Sequence, residues 1–174
     1  GLALQMDNSI GVGDWIKVGD ISGKVSEIRW RYTAVETRNW ETVVIPNSQL
    51  LKNPFMVLGR RSAKPVQLRR WVWFNIDFRW APQQVIDAVI GAIQRAEIPN
   101  MAADPKPSCV LMDFTDSYGK YAVRYWLTDL FVDDPTDSEV RAHIYAALRR
   151  AGIPLSVPAH SIFLTKETRR RKNR

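Results

Sequence analysis

The sequence predicts a small β-barrel followed by a mixed α/β unit, a β then α+β arrangement. Three observations carry that expectation. Residues suited to pleated surfaces, with Gly, Asp and Pro punctuation, fill the first fifty positions. From Leu68 onward the apolar period switches between two and 3.6 in the order β-α-β-β-α-β. Across all 174 residues, 45% hydrophobic and 25% charged usage is that of a globular chain, so disorder throughout is excluded.

The first unit begins after Gly11-Val12-Gly13-Asp14 with the short strand Trp15 to Val18, and a Gly19-Asp20 turn follows. Gly23 opens a longer β-type run, Lys24 to Thr37, whose alternation slips. Val25 lies on one parity, and Ile28, Trp30 and Tyr32 on the other, which predicts a bulge or a strong bend. Arg38-Asn39-Trp40-Glu41 is expected to turn the chain, with Asn39 in the left-handed conformation. Thr42 to Ile45 is a further strand, ended by Pro46, which lacks a ladder donor.

The second unit opens with the strand Leu68 to Arg79. Val72, Phe74 and Ile76 face a core there, and Trp71 and Trp73 share the opposite face. Pro82 suits a first helical turn, and Val85, Ile86, Val89, Ile90, Ile93 and Ala96 follow at helical spacing. Val110, Met112 and Phe114 alternate as a strand, Tyr118-Gly119 turns, and Tyr121, Val123, Tyr125 and Leu127 form the core face of the next. Thr136 and Glu139 have capping-box spacing before a helix on Val140, Ile144 and Leu148, closed by Gly152 and Pro154. Ser161 to Thr165 is expected as a last short strand, completing a split βαβ of the ferredoxin-like kind. A lone strand of that length needs a partner, either in its own sheet or in copies of the chain.

The net charge of +7 is unevenly placed. Residues 1–55 are neutral, 56–165 carry +2, and the tail 166–174 carries +5. A basic run at a chain end reads as a solvated tail or linker, and the body offers one local basic stretch, Arg60, Arg61, Lys64, Arg69 and Arg70. The single cysteine, Cys109, allows no internal disulfide. The two histidines, His143 and His160, have no second His or Cys at ligand spacing, so no metal and no cofactor is expected. Asp133, Asp134 and Asp137 sit at a helix start, where negative charge is favourable without catalysis. No catalytic site is read, and the expectation is that the chain is not an enzyme. No apolar run reaches the ~18–20 residues of a bilayer span. The start Gly1-Leu2-Ala3-Leu4-Gln5-Met6 has neither initiator Met nor basic n-region, so the chain is expected to be a piece of a longer one.

Seven tryptophans are a high number for this length. Trp15 beside Lys17 fits a membrane–water boundary, and equally a Trp packed in a barrel. Trp71 and Trp73 leave both faces of their strand in need of cover, by the first unit, a helix or another subunit.

Gly13-Asp14-Trp15-Ile16, Gly23-Lys24-Val25, Glu27-Ile28, Trp30-Arg31, Thr33, Thr37 and Val44-Ile45-Pro46-Asn47-Ser48 together resemble the small-conductance mechanosensitive channel (MscS) family. At motif level the resemblance covers residues 10–50, and it continues as architecture to Ala151-Gly152-Ile153-Pro154. One departure is the turn at Arg38-Asn39-Trp40-Glu41, where relatives often have an acidic-Gly pair.

The resemblance implies an Sm-like β-domain over 13–55 and a ferredoxin-like α/β domain over 56–158. Residues 1–12 would be the end of a pore-lining helix and its junction, and 159–174 an assembly strand with a basic tail. It implies Gly1, Ala3 and Gln5 at the pore-helix end, Gly13, Asp14 and Trp15 at the membrane junction, and Pro46 and Asn47 where the domains meet. It implies a ring-shaped homo-oligomer of seven at the inner cell membrane, with this region on the cytoplasmic side. The ring would form a vestibule that passes ions and small solutes when tension acts on lipid-embedded upstream helices. Arg60, Arg61 and Lys64 would line that vestibule, and Ile162 and Leu164 would face a barrel of assembled strands. An RNA-binding module is the rival. Against it, no Gly-x-x-Gly clamp is present and the aromatics are spread over several strands, so no nucleic-acid partner is expected.

Overall fold

The computed structural model describes residues 9–61, 64–158 and 160–164. Its first unit is one antiparallel sheet of β1 (Trp15–Val18), β2 (Ile21–Ile28), β3 (Tyr32–Glu36), β4 (Thr42–Pro46) and β5 (Met56–Leu58), in the order β4-β3-β2-β1-β5. A short helix, α1 (Asn47–Lys52), joins β4 to β5. The sheet wraps over Ile10, Ile16, Val18, Val25, Val35 and Ile45, all buried.

The parity slip has two physical sources. The β2–β3 register shifts between Val25 and Glu27, a bulge at Ser26, and the run then divides into a hairpin at Arg29–Arg31. The bend brings backbones unusually close at Gly23, where an added Cβ would lie 2.4 Å from the Glu36 carbonyl oxygen. In the β3–β4 turn it is Trp40, not Asn39, that takes the left-handed conformation, at φ 64° with its side chain 95% exposed. A large residue stands there because its ring meets little resistance outside the fold, while the turn still imposes the positive φ.

The second unit is a three-stranded antiparallel sheet of β6 (Leu68–Ile76), β7 (Ser108–Phe114) and β8 (Gly119–Leu127), in the order β6-β8-β7. Helices α2 (Pro82–Arg95) and α3 (Asp133–Arg150) pack against each other, α2 against β7 and α3 against β6. Their core is built on Val72, Ile76, Val85, Val123, Tyr125 and Val140. The second helix starts one turn earlier than its capping-box spacing predicts. Pro135 is tolerated in the first turn, a 3-10 turn (Leu130–Val132) leads in, and Thr136 Oγ1 donates to the Val132 carbonyl instead of capping.

The last strand of the expected β-α-β-β-α-β order is not formed within the chain over residues 160–164. Ser156 N–H donates to the Asn75 carbonyl at 2.9 Å, which starts an approach along the free edge of β6. The next donor on that side belongs to Pro158, which has none, so the ladder stops there. Ile162, Phe163 and Leu164 are left 80–93% exposed.

Candidate functional site

At the entry to β1, Gly13 has φ +95°, donates its N–H to the Val25 carbonyl at 2.8 Å, and would have open space around a Cβ. The requirement for glycine there is therefore conformational rather than steric. Asp14 Oδ2 accepts from Gly11 N–H and from Arg60 Nη1, both at 2.9 Å, while Arg60 Nη2 donates to the Ser9 carbonyl at 2.7 Å. The segment entering β1 is thus tied to the segment leaving β5. Arg60, expected to line a vestibule with Arg61 and Lys64, is part of this clasp. Gly1, Ala3 and Gln5 lie outside the described residues.

Trp15 is 6% exposed, and its neighbours decide between the two sequence readings of it. Its strand alternates, so Ile16 and Val18 enter the first core while Trp15 points to the other side. There it joins the second unit's core, beside Leu58. Its ring meets Phe131 edge-on at 4.7 Å, and the Arg38 guanidinium stacks over it at 4.6 Å. Burial of that extent withdraws the indole from any surface. Trp15 is a plug between the two sheets.

Arg38 extends this contact into a polar chain. Its Nε donates to the Leu130 carbonyl at 2.7 Å and lies 3.1 Å from Asp133 Oδ2. Asp133 is 4.0 Å from Arg70, whose Nη2 reaches Asp137 Oδ2 at 2.5 Å. Asp137 is buried and also accepts from the Tyr125 hydroxyl at 2.6 Å. Burial works against the Arg70 charge but is outweighed by hydrogen bonding and attraction to Asp137, with Asp133 adding to it, so the pKa of Arg70 rises. Burial first, and then donation to the Asp137 carboxylate, push the Tyr125 phenol well above its usual range. Two cations alternate with two carboxylates from the β3–β4 turn to the middle of β8, and the charges of Asp133 and Asp137 are answered by more than helix-start position. Half-buried pairs of this geometry fix orientation more than they add net stability.

Pro46 and Asn47, expected at the meeting of the domains, are placed elsewhere. Asn47 is 5% exposed and stays within the first unit. Its Oδ1 accepts from Thr33 Oγ1 at 2.8 Å, and its Nδ2 donates to the Arg29 and Trp30 carbonyls at 2.8 and 3.1 Å. Pro46 pairs in register with Tyr32. The Ile-Pro-Asn motif therefore closes the β2–β3 hairpin onto α1, because a buried amide can satisfy two carbonyls and a hydroxyl at once. The domain junction is made by Trp15 and Arg38, a pairing that sequence reading missed. Its signal was the i, i+4 spacing of Asp133 and Asp137, two acids on one helix face.

The outer face of the second sheet carries Trp71 and Trp73, stacked at 5.7 Å with 13° between planes. Arg69 lies 4.7 Å and Arg124 5.2 Å from the Trp71 ring, and Lys120 lies 4.7 Å from the Trp73 ring. These rings are already engaged with cations and with each other. Arg61 and Lys64 line a neighbouring cavity of about 330 Å³ walled by Trp126. Cys109 is buried, and burial pushes its thiol up to about 12, so it packs as a small apolar side chain rather than a nucleophile. Among the described residues no three His, Cys, Asp or Glu are grouped to hold a metal ion, and no helix is long and apolar enough to cross a membrane.

Residues 1–56 match the family model described as the mechanosensitive ion channel β-domain. The chain is 23% identical over 169 residues to the small-conductance mechanosensitive channel MscMJ of Methanocaldococcus jannaschii, covering 96% of this chain and 47% of that protein. It is 35% identical over 75 residues to the low conductance mechanosensitive channel YnaI of Escherichia coli, covering 40% of this chain and 22% of that one. The chain spans about half the length of the curated relatives it matches from end to end. Among solved structures, the closed-state crystal structure of Helicobacter pylori MscS superposes with a TM-score of 0.75 at 18% identity, over 95% of this chain and 63% of that one. The cryo-EM structure of wild-type Arabidopsis thaliana MSL1 gives 0.65 at 19% identity, over 90% and 54%. Together the matches support an MscS-family C-terminal region.

Proposed function

We propose that this C-terminal region of an MscS-family protein is the cytoplasmic vestibule of a tension-gated channel in the inner membrane. In this reading the first sheet is an Sm-like barrel (13–55) and the second unit a ferredoxin-like domain (56–158) whose fourth strand is given up to assembly (159–174). The match of residues 1–56 to the channel β-domain model carries the proposal. The clasp of Asp14, Arg60 and Ser9 supports it, because a rigid link at the entry to β1 passes displacement of an upstream pore helix into the sheet. The chemistry is support and filtering of ions and small solutes, without a covalent step.

Assembly follows from open edges. The first sheet ends in β4 on one side and β5 on the other, with Val44 and Met56 more than half exposed. Two unlike edges on one sheet are what a head-to-tail ring of copies can close. Ile162 and Leu164 share one parity of an unpaired segment and face an axial barrel of copies. The ring is a homoheptamer seated against lipid through upstream helices. Multi-angle light scattering tests this on the full-length protein in detergent and on the same protein lacking residues 159–174. A seven-fold mass that falls on truncation is the expected result. A monomeric or dimeric full-length protein refutes the channel reading, and a truncation that leaves the ring intact refutes the assembly strand.

A further inference from the structure

We infer that the outer face of the second sheet is a binding track for small multivalent anions such as phosphate esters. The inference deepens the vestibule reading by naming the residues that meet the permeating solutes, and it stands on its own geometry. Cross-strand register places Trp71 opposite Arg124 and Arg69 opposite Trp126, with Lys120 opposite Asn75. Three cations are thereby ordered by stacking on Trp71 and Trp73, two of them over the same indole. Stacking lowers the rotameric freedom of long side chains before any ligand arrives, so little of it remains to be lost on binding.

The charges are also unanswered. None of Arg61, Lys64, Arg69, Lys120 and Arg124 makes an ion pair among the described residues. The acidic groups nearest by placement are Asp104, which shares the cavity with Arg61 and Lys64, and Asp113, opposite Lys120 in the register. Like charges held over one ring repel, and an anion with two or more negative charges relieves that repulsion where a monovalent one does so only in part. The guanidinium groups present forked N–H donors suited to phosphate oxygens. The cavity of about 330 Å³ beside Trp126 gives the track a recess at one end, with Gln67 among its walls. Because the indole rings are engaged with cations, the face is set to read charge rather than to stack a base.

Calorimetric titration of inorganic pyrophosphate into the full-length protein in detergent tests the inference, at low and at physiological salt. Saturable binding that weakens with salt is expected. The Arg69→Gln/Arg124→Gln double variant weakens it at least tenfold, Trp71→Leu weakens it several-fold with both arginines present, and Arg149→Gln on the exposed face of α3 leaves it unchanged. No binding at low salt overturns the inference, as does an affinity that the double variant leaves intact. Current recorded from liposome patches under applied tension separates the two proposals. Binding that behaves as expected in a protein without tension-gated current sinks the vestibule reading and leaves the track standing. Tension-gated current without pyrophosphate binding sinks the track alone.

Discussion

Replacing Arg38 with Met isolates what joins the two sheets. The substitution keeps an unbranched stem and removes the guanidinium, which donates to the Leu130 carbonyl at 2.7 Å, sits 3.1 Å from Asp133 and stacks on Trp15. A hydrogen bond from a charged donor contributes about 1.5–3 kcal/mol, and a half-buried cation over an indole contributes about 1 kcal/mol more. Asp133 is not orphaned, since Arg70 remains 4.0 Å away, so the penalty of an abandoned buried charge is avoided. The expected cost is about 2–4 kcal/mol, read from urea unfolding followed by tryptophan fluorescence and circular dichroism. A double-mutant cycle with Asp133→Asn should return a coupling of about 1 kcal/mol, because the two side chains share one contact. A cost below about 0.5 kcal/mol, the range of an ordinary surface change, would show that the polar chain does not join the sheets. A coupling within error of zero would show that Arg38 acts through Trp15 and Leu130 alone.

Three further outcomes follow from the same geometry. Asn47→Ala strands the fully buried Thr33 hydroxyl and two carbonyls, and should cost about 2–4 kcal/mol in urea unfolding, with Asn47→Asp no rescue because it replaces a donor by an acceptor. Trp40→Gly should stabilise the protein by about 1 kcal/mol, seen as a raised Tm, because it relieves a left-handed φ of 64° under a side chain 95% exposed. The raised thiol of Cys109 contributes stability that is complete below the unfolded pKa of 9.0 and is lost as pH climbs towards about 12. The loss at pH 10 relative to pH 7 should be about 1.4 kcal/mol from this group, and Cys109→Ala should remove that slope while leaving the later decline that begins where unfolded tyrosine ionises and that Tyr125 adds.

The parts legible in the sequence were those set by short-range stereochemistry. The slip between Val25 and Ile28 announced a bulge or bend, and a bulge stands at Ser26. Alternation along Val72, Phe74 and Ile76 found a core face because the strand's inner neighbours are helices packed on one side. What could not be read depends on partners far along the chain. Trp15 finds its aromatic partner at Phe131, and nothing within ten residues of Trp15 distinguishes a plug from a surface anchor. Arg38 is the turn residue it reads as, but its contact with the second unit could not be read because its acceptor, Leu130, is 92 positions away. Arg60 reads in the sequence as one of a local basic stretch, because its partner Asp14 lies 46 positions away. The last strand failed inside the chain for a local reason, the missing donor of Pro158.

The most direct measurement is a pressure ramp on excised patches of liposomes holding the full-length protein, wild type beside Gly13→Val. Gly13 is where the chain enters β1, the pivot of the proposed coupling, and its φ of +95° is one that a branched side chain resists. The account predicts currents that appear reproducibly above a threshold tension in the wild type, and a shifted threshold in the variant with the second unit's thermal stability unchanged. Patches that stay silent up to rupture, or a variant that gates at the wild-type tension while both units lose stability equally, would contradict it.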